Sequence, residues 1–124
     1  MALKRTAAAH WAGSGKDGKG TLSAPGGVLK NTPYSFASRF ESTPGTNPEE
    51  LIAAAHAGCF TMASLTMEQV GAGWSISAIH LDLGATIPGI DEAKFQALAA
   101  DAKANCPVSK VLNAKITLTA TLKK

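Results

Sequence analysis

The stretch Asn47–Val70, NPEELIAAAHAGCFTMASLTMEQV, decides how this chain is read. Asn47 is a capping residue, Pro48 suits a first helical position, and Glu50 stands at the capping-box position. The run that follows is rich in Ala, Leu and Met, which favour helix. Leu51, Ile52, Ala55, Cys59, Met62, Ala63 and Thr66 recur at helical spacing, mostly on one apolar face. Gly71 and Gly73 close the run. The pattern predicts one central helix reaching about Val70, with Cys59 on its buried side.

Upstream, residues 1–46 read as short strands and turns. Gly13–Gly20 (GSGKDGKG) and Pro25-Gly26-Gly27 are turn signals, and Thr21–Ser23 and Tyr34–Phe40 are expected strands. Downstream, Ile79, Leu81, Leu83, Ala85 and Ile87 alternate with His80, Asp82, Gly84 and Thr86, the pattern of a half-buried strand. A second helix is expected over Asp91–Ala104, with Phe95, Leu98, Ala99 and Ala102 on one face. Cys106-Pro107 opens a short third helix through Leu112. A last strand follows, in which Ala114, Ile116, Leu118, Ala120 and Leu122 alternate with Lys and Thr. Strands grouped around helices without regular βαβ alternation predict an α+β fold.

The 124 residues suit a single domain, and an apolar content of 45% supplies one core. Twelve basic and nine acidic residues give a net charge of +3, spread along the chain rather than clustered. Nucleic-acid binding needs a concentrated basic footprint, so that class is set aside. No apolar run approaches bilayer length. The N-terminal AAAHWAG lacks the apolar centre of a secretory signal. The expectation is a cytoplasmic protein with no membrane partner, whose two cysteines rest as thiols.

Two short motifs carry no function on their own. Gly13-x-x-x-x-Gly18-Lys19 resembles the start of a phosphate-binding loop, but Gly20 stands where a magnesium-binding hydroxyl belongs and no helix follows; a hairpin loop is the better reading. His56-x-x-Cys59 sets two potential ligands one turn apart, but zinc needs three or four, and His10, His80 and Cys106 add no diagnostic spacing. No metal site is expected, and His56 reads as a packed side chain.

The cysteines, Cys59 and Cys106, lie 47 positions apart and form no CxxC. A cysteine on an apolar helix face is commonly just a small hydrophobe. Cys106 differs, because it precedes a proline at a helix start, where unpaired N–H groups favour a thiolate. Residue chemistry alone therefore makes Cys106 the more activated thiol. A reactive Cys59 would need a cation from elsewhere, for which Arg39 is the candidate.

Several blocks together resemble the osmotically inducible protein C (OsmC) family, related to the organic hydroperoxide resistance proteins. They are AHWAG, GKGTLSAPGGVL, PYSFASRFE, GTNPEELIAAAHAGCFTMA and NCPVSKVLNAKITL, spanning about His10 to Lys123. The resemblance implies antiparallel sheets packed on a long central helix, in an intertwined homodimer with active sites at the subunit boundary. It implies a thiol peroxidase that reduces organic hydroperoxides; the neighbouring Leu, Ile, Met and Phe residues are expected to form an apolar pocket that favours these over hydrogen peroxide, and no cofactor is expected because the redox chemistry can run on sulfur alone. Cys59 would attack the peroxide and become a sulfenic acid. Cys106 would resolve it as a disulfide. Arg39 would stabilise the Cys59 thiolate, and Glu49 would pair with that arginine. A dithiol, of the lipoyl type in this family, would be the reductant.

Glu49 and Cys59 are ten residues apart, roughly 15 Å along a helix. If Arg39 and Glu49 serve Cys59, they are expected to come from the partner subunit. The chain also lacks a strand-turn-strand segment that such proteins carry after the long helix, passing directly from Gly73-Trp74 to Ser75-Ile76. A deletion there would expose a sheet edge and weaken the dimer. The alternative function is a non-enzymatic stress-response dimer that binds a ligand or partner, with inert cysteines. Thiol–disulfide exchange on proteins is a third reading, disfavoured by the absence of CxxC.

Overall fold

A computed structural model describes residues 2–60 and 62–123. The chain forms two compact units, Met1–Pro48 and Glu49–Lys124.

The first unit is a three-stranded antiparallel meander of β1 (Ala8–Ala12), β2 (Lys19–Ser23) and β3 (Thr32–Ser35), in that order. The Gly13–Gly18 segment is the β1–β2 hairpin loop, with Ala12 opposite Lys19. Trp11, Gly20 and Tyr34 lie side by side across the three strands. The Trp11 and Tyr34 rings meet over the glycine, 5.2 Å between centroids. A Cβ on Gly20 would sit 2.4 Å from the Tyr34 ring, so only glycine fits beneath the pair. The expected strand over Tyr34–Phe40 is corrected: it stops at Ser35, and Phe36–Phe40 is a short helix, α1. Ser35 turns the chain, because its side chain accepts from the Ser38 amide while the Ser38 hydroxyl accepts from the Ser35 amide.

The second unit opens with α2 (Pro48–Ala57) and continues into β4 (Met62–Val70) and β5 (Gly73–Ala85). The expectation of one helix to Val70 is corrected here. The last helical hydrogen bond runs from the Gly58 amide to Ala54, after which Cys59 and Phe60 bond back only three residues. Cys59 therefore lies on the turn that leaves the helix and is exposed, not on the helix's buried side. Thr61, inside the expected helix, lies outside the described residues. Beyond it the period changes from 3.6 to 2: Ala63, Leu65 and Met67 turn inward while Met62, Ser64, Thr66 and Glu68 face solvent. Gly71 takes φ 62° in the two-residue turn that joins β4 to β5, as a tight hairpin of this kind requires. The alternating segment expected over Ile79–Ile87 is thus the second half of a longer strand as far as Ala85, and Thr86 and Ile87 lie beyond the strand's end.

After β5 come α3 (Glu92–Asn105), α4 (Pro107–Val111) and β6 (Lys115–Leu122). Asp91 caps α3 by accepting from the Lys94 amide at 2.7 Å. Phe95 and Ala99 are buried, but Leu98, expected on the same face, is 53% exposed. The two helices form the crossover that lets β6 run parallel to β5, so this sheet is mixed, ordered β4-β5-β6, rather than antiparallel throughout. Its inner face carries Ala63 and Leu65 from β4, Ile79 and Leu81 from β5, and Ile116 and Leu118 from β6. Phe60, Cys106, Val108 and Leu112 pack against them. The architecture is α+β, with two small sheets and, among the described residues, no long central helix.

Candidate active site

The site of the second unit is built where the end of α2 meets the start of α4. Gly58 ends the first helix and presents Cys59 on the turn. The Asn105–Pro107 junction ends α3 and starts α4, with Cys106 at the corner and its amide bonded to the Ala102 carbonyl. Both cysteines are free thiols; Cys59 is exposed and Cys106 is 6% exposed, within the apolar core. Their side chains are hydrogen-bonded to one another. Two residues far apart in sequence are thus in contact.

Burial pushes the Cys106 thiol toward its neutral form. Hydrogen bonds to its sulfur outweigh that push: from the Ser109 amide, the Cys59 thiol, the Val108 amide and the Ser109 hydroxyl. The result is a thiol more acidic than usual. Cys59 moves the other way. Its hydrogen bond to Cys106 holds the proton on Cys59, with smaller contributions from burial and from the charge on Cys106. Of the two sulfurs, the buried one of Cys106 therefore carries negative charge more readily.

His56, one turn before Cys59, is fully buried and reaches α4. Its Nε2 lies 2.7 Å from Ser109 Oγ, and its ring meets Phe60 edge-on at 5.8 Å. Nδ1 is buried without a hydrogen-bond partner, and burial lowers the pKa of the ring, which is therefore neutral. The sequence pattern assigned no role to Ser109. A signal was present in Cys106-Pro107-Val108-Ser109, because a serine three residues after a helix-start residue brings its hydroxyl back to that residue.

Arg39 lies in the first unit, on α1, and is exposed. Its guanidinium stands over the Phe40 ring, 5.0 Å from the centroid. A cleft of about 330 Å³ opens beside it, lined by Trp11, Tyr34, Phe36, Arg39 and Phe40 among others. Glu49 lies in the second unit, in the first turn of α2, and is buried. Within that unit Glu49 and Cys59 mark opposite ends of α2, so one side chain does not serve both.

An exposed thiol and a buried, more acidic one, in contact on an α+β scaffold, form the arrangement that thiol-based redox proteins use. Comparison with known proteins narrows that class. A family model described as OsmC-like protein matches residues 63–121, a span that includes Cys106. The peroxiredoxin OsmC of Escherichia coli (strain K12) is 44% identical over 142 aligned positions, covering 99% of each chain. The organic hydroperoxide resistance protein of Xanthomonas axonopodis pv. citri is 32% identical over 98 positions, 63% of this chain and 67% of that protein. Among solved structures, an OsmC-like protein from Mycoplasma pneumoniae shares the fold with a TM-score of 0.72 over the whole of both chains, at 15% identity. The chain belongs to the OsmC family. The alignment with the E. coli protein is longer than this chain's 124 residues, so this chain carries gaps against it.

Proposed function

We propose that this protein is a cysteine-based peroxidase that reduces organic hydroperoxides. The nearness of Cys59 and Cys106, each of which shifts the other's ionisation, carries the proposal, because a disulfide needs its two thiols brought together. Transfer of the proton from Cys59 to Cys106 leaves a Cys59 thiolate at the exposed position, where a bulky peroxide can reach it. That thiolate attacks the distal oxygen, giving a sulfenic acid and an alkoxide. The alkoxide takes a proton and leaves as the alcohol. Cys106 then attacks the sulfenic sulfur and expels hydroxide, which leaves as water. The two thiols thus supply both electrons, and no cofactor is needed.

Negative charge grows on the departing alkoxide oxygen. A permanently charged guanidinium is the side chain suited to meet it. Arg39, oriented by Glu49 and supplied by the partner subunit of a homodimer, fills that role in the proposal, with both units acting as one OsmC-like domain. The aromatic lining beside Arg39 favours organic over hydrogen peroxide. A cytoplasmic dithiol returns the disulfide to thiols. The relatives named peroxiredoxin and organic hydroperoxide resistance protein support this reading. A second reading is favoured by the hydrogen bonds to its sulfur: Cys106 attacks first and Cys59 resolves.

Peroxide consumption with a dithiol, comparing wild type, Cys59→Ser and Cys106→Ser with cumene hydroperoxide and hydrogen peroxide, tests both. The proposal expects Cys59→Ser to abolish a single turnover while Cys106→Ser still forms a sulfenic acid. The reverse pattern selects the second reading. A folded, reduced wild type that consumes neither peroxide ends both. Restored activity in mixed dimers of Arg39→Ala and Cys59→Ser chains is the expected sign of a shared site.

A further inference from the structure

The hydrogen bonds behind Cys106 extend one layer beyond the cysteines. The Ser109 hydroxyl contacts both the Cys106 sulfur and His56 Nε2. A serine has a single hydroxyl proton. If it points to the sulfur, the oxygen accepts from Nε2–H, and His56 carries its proton on Nε2. The other side of the ring agrees: Nδ1 is buried with no partner, and a bare lone pair there is tolerated better than a buried N–H. His56 is fully buried, so the ring and the hydroxyl it holds are fixed by packing rather than by solvent.

We propose that Ser109, oriented by His56, is a positioning residue that makes Cys106 the sulfur that departs when a dithiol reduces the Cys59–Cys106 disulfide. The inference rests on the reading of these two cysteines as a redox pair. In the exchange step, a reductant thiolate attacks Cys59, the exposed sulfur. A mixed disulfide forms between reductant and Cys59, the Cys59–Cys106 bond breaks, and its electron pair leaves on Cys106. The Ser109 hydroxyl and the Ser109 and Val108 amides receive that charge. The second thiol of the reductant, as thiolate, then attacks the reductant sulfur of the mixed disulfide. Cys59 leaves as thiolate, and the reductant closes to its own disulfide. Attack on the exposed sulfur and departure of the better-stabilised one both favour this direction, since a more acidic thiol leaves faster. The same hydroxyl acts through Cys106, on the closing and the reduction of the disulfide, and not directly on the attack of Cys59 on peroxide.

The test starts from protein oxidised to the disulfide with diamide, so it reads the exchange step whether or not the chain is a peroxidase. Oxidised wild type is treated with glutathione, quenched with acid, and the adduct is located by peptide mass mapping. The expected adduct is on Cys59; an adduct mainly on Cys106 overturns the proposal without any variant. Reduction by dithiothreitol is then followed by stopped flow. Ser109→Ala is expected to slow it about tenfold, the size of one lost hydrogen bond to a charged sulfur. Ser109→Thr, which keeps the hydroxyl, is expected to restore most of the rate. The rate of sulfenic acid formation in Cys106→Ser is expected to be the same with and without Ser109→Ala. Reduction of Ser109→Ala at the wild-type rate, or equal slowing by Ser109→Thr, overturns the role of the hydroxyl.

Discussion

The buried imidazole of His56 gives the second unit a dependence on pH that can be measured against a variant lacking it. The ordinary value for the group is 6.5, and burial lowers it in the folded protein. Below that value the unfolded chain takes up a proton that the folded chain does not. Stability from this group is therefore full above about pH 6.5 and is lost as the pH falls toward the depressed folded value. The loss between pH 7.5 and 5.5 is at most about 1.4 kcal/mol, the limit for a ring that takes up no proton in the fold. Urea unfolding followed by circular dichroism at pH 7.5, 6.5, 5.5 and 5.0 measures it. His56→Gln provides the reference, because an amide donates to Ser109 without titrating in this range. Carboxylates and the other histidines contribute to both proteins and cancel in the difference. The expected result is a gap between the two that closes or reverses on acidification to pH 5.5, by up to about 1.4 kcal/mol. Parallel pH profiles, within a few tenths of a kcal/mol, would refute the claim that the fold requires a neutral His56.

Removing Cys106 as Cys106→Ser deletes the main influence holding the proton on Cys59, so alkylation of Cys59 by iodoacetamide at pH 7.5 should be faster than in wild type; a slower rate contradicts the hydrogen-bond assignment. Gly20→Ala should cost about 1–3 kcal/mol by forcing the Trp11 and Tyr34 rings apart, with a matching change in the near-ultraviolet dichroism. Leu81, fully buried between Ala63 and Leu118, should cost about 2–5 kcal/mol as Leu81→Ala in the same urea assay. Ser35→Ala should cost about 1 kcal/mol through loss of the α1 cap, and should lower peroxidase activity further by loosening the segment that carries Arg39.

The helix after Asp91 and the closing strand were legible because each has one period throughout, and the strand expected over Ile79–Ile87 was legible in kind though not in its ends, which fall at Gly73 and Ala85. The Asn47–Val70 stretch was not, because two patterns overlap in it. Met62, Ala63 and Thr66 continue the helical spacing of α2, yet Ala63, Leu65 and Met67 also alternate. Local spacing favours the longer helix. Gly58 and the Gly71 turn favour a break, and pairing with β5 decides the matter by giving β4 nine backbone partners. The Tyr34–Phe40 strand failed for a smaller reason: the Ser35–Ser38 capping box starts a helix inside a β-rich run.

The sequence by itself determined the α+β class, the Gly13–Gly18 hairpin loop, the helix starts marked by Pro48, Asp91 and Pro107, and the family, through motif blocks specific enough to name Cys59 and Cys106. It also suggested an acidic Cys106 from the proline that follows. Only the tertiary structure decided that Cys59 is exposed on a turn, that the two cysteines lie near each other, and that His56 bonds to Ser109 beside Cys106. Periodicity records which side of an element is apolar. It does not record which elements meet, and a hydrogen bond between residues 53 positions apart, such as that from His56 to Ser109, exists only once packing has brought two helix ends together.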